Sequence, residues 1–141
     1  MRALCLGINA YPRMEHCEPL KNCERDADEF AKQVRGLSDG GNGHCHATVH
    51  KGSQLKSKAD MAEAVREFAR TIDKQAPPRM VAVTFSGHGI QEGEDILMIP
   101  SGVSSQPDEL RKEGFSHNEL FAILYEEVHK KTEVPCRSLL C

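Results

Sequence analysis

The strongest constraint on the fold is the run Met80–Phe85, MVAVTF, which carries almost no polar surface and stops abruptly at Ser86-Gly87-His88-Gly89. With Pro77 and Pro78 before it and glycines after it, this run predicts a strand buried on both faces, the character of a central strand in a parallel sheet. Such a sheet is stable only when helices cover its faces, and the rest of the chain supplies strands and helices in alternation.

Ala3–Ile8 reads as a first buried strand, ending before Asn9 and Pro12. From Asp26 to Leu37, the apolar residues Ala27, Phe30, Ala31, Val34 and Leu37 recur at helical spacing, and the glycine-rich stretch from Ser38 ends the helix. His46–His50 is a weaker second strand. Ser57 with Asp60 makes a capping box, in which side chains satisfy otherwise unpaired N–H groups, ahead of a helix face of Met61, Val65, Phe68, Ala69 and Ile72. Ile96–Ile99 reads as a short strand after a glycine-containing turn. Ser116 with Glu119 repeats the capping pattern and opens a helix along Leu120, Ile123, Leu124 and Val128 to about Lys131, and RSLLC at 137–141 begins as one more strand. Residues 38–45 and 101–115 read as surface loops. Strands and helices in this order predict an α/β fold, a mostly parallel sheet with right-handed crossovers and helices on both faces. Sites in such sheets form outside the carboxyl ends of the strands, and His88 falls there.

Composition narrows the function. At 141 residues and 39% hydrophobic, the chain has one domain's length and enough apolar content for a core. A net charge of −3 without a lysine or arginine cluster offers no basic field, which excludes nucleic acid as a partner. The opening MRALCLGINAYPR is too briefly apolar for a signal peptide, and nothing approaches transmembrane length, so no membrane partner and a cytoplasmic or nuclear location are expected. In that setting the six cysteines read as reduced thiols.

His88 is the residue that points to chemistry. Flanking glycines leave backbone N–H groups uncovered for a close-approaching carbonyl, and imidazole is a base near neutral pH. Taken alone, a loop histidine is more often structural than catalytic. The blocks RALCLGINAYP, LKNCERDADEFAKQVRGL, VAVTFSGHGIQ and ILMIP, in this order, resemble the caspase-like cysteine peptidases (peptidase C14-like), the clan of caspases, metacaspases and paracaspases. The pattern is closest to the paracaspase and metacaspase members, and it spans essentially the whole chain. The resemblance implies a three-layer sandwich and a cysteine endopeptidase acting on peptide or protein substrates. It also implies that His88 works with a cysteine as general base, and that the Gly89 N–H forms part of the oxyanion hole. Asp26 matches the aspartate that lines the pocket for a basic P1 residue; read without the resemblance, it is a first-turn carboxylate favoured by the helix dipole.

The nucleophile is the open position. The resemblance places it at the end of the next strand, about 50 residues after the histidine. Cys136 lies 136 − 88 = 48 residues on but follows the polar HKKTEVP; Cys141 lies 141 − 88 = 53 residues on and is the last residue. RSLLC resembles the family's strand cut off before its acidic residue and cysteine, so the reading favours a nucleophile beyond Cys141, with Cys136 and Cys141 as alternatives. A catalytic domain over 1–141, incomplete at its carboxyl side, inactive as it stands and with a sheet edge open to protein partners, is the expectation; the alternative is a non-enzymatic caspase homologue serving as a binding or regulatory module. No cofactor is expected. Glu92, Glu94 and Asp95 read as a solvated turn rather than a calcium-binding insertion, and Gly102 stands where the family usually has an aspartate. His16, Cys17, Cys23, His44, Cys45, His46 and His50 match no standard zinc spacing. Neither Arg2 nor Arg13 aligns convincingly with the arginines by which caspases receive aspartate.

Overall fold

A computed structural model describes residues 1–15, 17–37, 45–72 and 78–129. Three strands form a parallel sheet in the order β2-β1-β3, with β1 at Arg2–Gly7, β2 at His46–Lys51 and β3 at Val81–Ser86. The register aligns Leu4 with Thr48 on one side and with Val83 on the other, and the ends of β1 and β3 coincide at Gly7 and Ser86.

β1 is buried on both faces because its side chains alternate between two cores. Ala3 and Cys5 pack with Ala27, Ala31 and Val34 of helix α1, Cys23–Gly36. Leu4, Leu6 and Ile8 point the other way, into a larger core with Met61, Val65 and Phe68 of helix α2, Lys58–Arg70. Each such buried Leu or Phe contributes roughly 1.5–3 kcal/mol of transfer free energy. Burial against α1 and the low-polarity interior pushes the Cys5 thiol up from its ordinary pKa, with a hydrogen bond to Thr84 acting more weakly in the opposite sense. The α2 capping box is present as expected: Ser57 Oγ accepts from the Asp60 N–H at 3.1 Å, and Asp60 Oδ2 accepts from the Ser57 N–H at 2.9 Å.

After His88 the chain forms a second, antiparallel sheet in the order β4-β5-β6, from Gly89–Glu92, Asp95–Met98 and Phe115–Ser116. Helix α3, Pro107–Glu113, precedes β6, and helix α4, His117–His129, follows it and packs against α2. Leu97, Met98, Ile99, Phe115 and Leu120 bring this second unit into the core that holds Leu4 and Leu6. The molecule is thus an α/β sandwich, α1 on one face of the parallel sheet and α2 with α4 on the other.

Several expectations are corrected. Among the described residues β1, not Met80–Phe85, is the central strand and β3 is an outer one, with Val81 41% exposed. Leu37 is 68% exposed, because α1 ends at Gly36 before the apolar stripe returns to the core. The stretch 101–115 is not all loop, since α3 occupies its centre. Glu92, Glu94 and Asp95 are not a uniform solvated turn. Glu92 Oε1 pairs with Arg111 at 3.1 Å, and Asp95 is partly buried, accepting the Ser116 Oγ–H and contacting His117. RSLLC, with Cys136 and Cys141, lies outside the described residues.

Candidate active site

The site is built where the loops leaving β1 and β3 meet. Ile8 N–H donates to the Ser86 carbonyl at 2.9 Å, which clamps the two strand ends together. From Gly7 the chain turns into α1, whose first turn sits directly over the strand end: a Cβ at Gly7 would lie 2.6 Å from the Cys23 carbonyl oxygen and 2.8 Å from the Glu24 Cα. Asn22 makes no side-chain cap; instead Asn9, from the loop after β1, caps the helix by accepting the Glu24 N–H on Oδ1 at 3.1 Å. Asp26 is exposed on that first turn, above the same edge of the sheet that His88 leaves.

His88 itself is partly buried and held by Tyr11. Its backbone N–H donates to the Tyr11 hydroxyl at 2.8 Å, and the two rings are 4.6 Å apart, tilted by 56°. Burial pushes the Tyr11 phenol far above its ordinary pKa, the hydrogen bond from His88 offsetting this only in part, so Tyr11 is a neutral anchor at physiological pH. Gly87 is required by crowding: a Cβ there would meet the Tyr11 hydroxyl at 2.6 Å and the Phe85 Cζ at 2.7 Å. The imidazole also contacts a thiol, Cys17 Sγ to His88 Nε2 at 2.9 Å.

Gly89 opens β4 opposite Met98, and the Ile99 N–H donates to the His88 carbonyl at 3.0 Å. In an antiparallel ladder that pattern makes Gly89–Met98 a wide pair, so the Gly89 N–H points away from β5. A base and a backbone donor with no partner among the described residues therefore occupy successive positions, the arrangement needed to deprotonate a nucleophile and stabilise an oxyanion.

The structure places His88 and Gly89 just past the end of β3 and the first turn that bears Asp26 over the end of the adjacent β1, and beside His88 it adds two residues that were not expected there, Tyr11 and Cys17. Cys17 had a signal only as one of several candidate ligands; Tyr11 had none. Among the described residues no group of three or more His, Cys, Asp or Glu is placed to hold a metal ion, and no helix is long and apolar enough to cross a membrane. Arg13 is occupied elsewhere, donating to the Gly102 carbonyl at 3.0 Å and pairing with Glu109 at 3.1 Å. The mixed-charge groove beside it, lined by Lys56, Asp108, Glu109 and Lys112, does not include His88.

A family model described as "Caspase domain" matches residues 1–129. The chain belongs to the caspase-domain family. Its functional class is accordingly cysteine peptidase-like, and the α/β sandwich with a parallel sheet agrees with the caspase-like fold. A comparison with curated proteins found no match.

Proposed function

We propose that this caspase domain is the catalytic region of a cysteine endopeptidase of metacaspase or paracaspase type, cutting after arginine or lysine. His88 acts as general base, the Gly89 N–H helps to stabilise the tetrahedral oxyanion, and Asp26 receives the basic P1 side chain through a charge-assisted hydrogen bond. The nucleophile is a cysteine following residue 141, with Cys136 and Cys141 as the alternatives within the sequence. The observation that carries the reading is the placement of a Tyr11-anchored imidazole next to a backbone N–H facing away from β5, at the carboxyl edge of the sheet.

The test uses the chain extended through its natural reading frame, assayed on matched fluorogenic peptides ending in Arg, Lys or Asp. Arg and Lys peptides are expected to be cleaved and Asp peptides not. His88→Ala should abolish turnover of all of them, and Asp26→Ala should lower kcat/KM for basic peptides by roughly 10-fold or more, the worth of a charged hydrogen bond. Preference for aspartate, or an Asp26→Ala variant as active as its parent on arginyl peptides, would overturn the pocket assignment. Turnover by His88→Ala would overturn the mechanism. A second reading, a non-enzymatic caspase homologue, is favoured by one contact: the Cys17 thiol already occupies one of the two imidazole nitrogens, Nε2. An extended chain with no turnover on any peptide supports it.

A further inference from the structure

The loop between β1 and α1 brings Cys17 to His88 by a series of short-range bonds. Met14 N–H donates to the Tyr11 carbonyl at 3.0 Å, Cys17 N–H to the Met14 carbonyl at 3.3 Å, and Leu20 N–H to the Asn9 carbonyl at 2.7 Å. Tyr11, at the start of this loop, holds the His88 backbone, so one segment fixes both members of the thiol–imidazole contact. Cys17 is partly exposed, unlike Cys5, which is fully buried behind α1. In the tautomer with its proton on Nδ1, the imidazole accepts the thiol proton on Nε2 at a sulfur–nitrogen distance of 2.9 Å.

We propose that Cys17 and His88 form an in-chain thiol–imidazole pair, and that Cys17 is a covalent modification site for soft carbon electrophiles of the α,β-unsaturated carbonyl class. The Cys17 proton passes to Nε2 of His88, and Sγ attacks the β-carbon of the electrophile. The carbon–carbon π pair moves onto the carbonyl as an enolate, which then takes the proton back from the imidazolium. The net change is addition of S–H across the double bond, with no oxidant, reductant or leaving group. The adduct then stands against Nε2 and closes that nitrogen to a second thiol while Cys17 is modified. Thiols beside an imidazole are the reactive ones in proteins, because the proton has an acceptor within reach.

The probe is N-ethylmaleimide, applied to the full chain in limiting amount and quenched at intervals, with labelling of each cysteine followed by peptide mass mapping. Cys17 is expected to react about 5-fold or more faster than Cys23 and Cys45, which are also partly exposed, and faster than Cys17 itself in the urea-unfolded chain. His88→Gln, which leaves the thiol no imidazole to take its proton, should remove that advantage while leaving the Cys23 and Cys45 rates unchanged. Labelling of Cys17 no faster than in urea, or at the parent rate in a folded His88→Gln variant, would overturn the proposal. If His88→Gln shows no cooperative urea transition, the native-to-unfolded ratio for the unsubstituted chain decides alone. None of these rates needs a peptidase, so the pair can stand or fall independently of the catalytic reading.

Discussion

Gly87→Ala tests the idea that the site histidine is positioned by crowding. Its new Cβ would sit 2.6 Å from the Tyr11 hydroxyl, where an ordinary contact needs about 3.4 Å, so the phenol must retreat by about 3.4 − 2.6 = 0.8 Å. The bond at risk is the 2.8 Å donation from the His88 N–H, and a retreat of that size takes it past hydrogen-bond length. The Phe85 ring, 2.7 Å from the same Cβ, must move as well. Leaving a polar group unpaired costs about 1–3 kcal/mol and forcing a packed ring aside costs about 1–3 kcal/mol more, so a loss of about 2–6 kcal/mol is expected. Urea unfolding followed by circular dichroism should show the midpoint falling by about 1–3 M at a slope near 2 kcal/mol/M. The decisive comparison repeats the substitution in a Tyr11→Phe background, where the oxygen is gone and the cost should drop by about 1 kcal/mol or more. A loss below about 0.5 kcal/mol in the parent background, or the same loss in both, would refute the crowding argument.

Gly7→Ala should be harsher than Gly87→Ala, leaving little folded protein by the same urea assay, because its Cβ meets α1 backbone atoms that no rotamer change can move. Gly36→Ala has open space and extends good helix propensity into the last turn, so it is expected to stabilise by about 0.4–1 kcal/mol in calorimetry. Ser116→Ala removes both the acceptor for the Asn118 N–H and the donor to Asp95, and should cost about 1–2 kcal/mol in urea unfolding. Ser116 donation, then the Ile96 N–H and His117, hold the Asp95 carboxyl below its ordinary range. A depressed folded pKa means that this stabilisation is complete above about pH 4–5 and is lost as pH falls through the folded value. Asp95→Asn should therefore flatten the loss of stability measured between pH 5 and pH 2.

Local signals were readable where they were self-contained. The Ser57–Asp60 box and the stripe Met61, Val65, Phe68 specify α2 within one segment, and α1 and β1 were likewise placed to within a few residues. Helix α3, PDELRKE, escaped because it buries none of its residues and so carries no apolar period. Strand β4, GIQE, escaped because its order comes from pairing with β5 across the turn at Gly93 rather than from its own sequence. Asp95 read as solvated because its partners, Ser116 and His117, lie 21 residues on or more. The position of His88, just past the end of β3, was legible from the apolar run and the glycines that follow it. The contacts that fix it were not: Tyr11 and Cys17 stand 77 and 71 residues away, and no periodicity connects them to it.

The position of β1 between two parallel neighbours sets a schedule for folding during synthesis. Arg2 pairs with His46 and with Val81, so its ladders close only after 46 − 2 = 44 and 81 − 2 = 79 further residues exist. At about 5–20 residues per second, the second closure waits roughly 4–16 s after β1 is made, plus the time for the chain to clear the ribosome. Throughout that interval Leu4, Leu6 and Ile8, which face away from α1, have no helix to shelter against until α2 is made. The nascent chain thus passes its longest exposure with its most apolar strand first in line, and slow codons ahead of residue 81 would lengthen the period in which that strand can pair with the wrong neighbour.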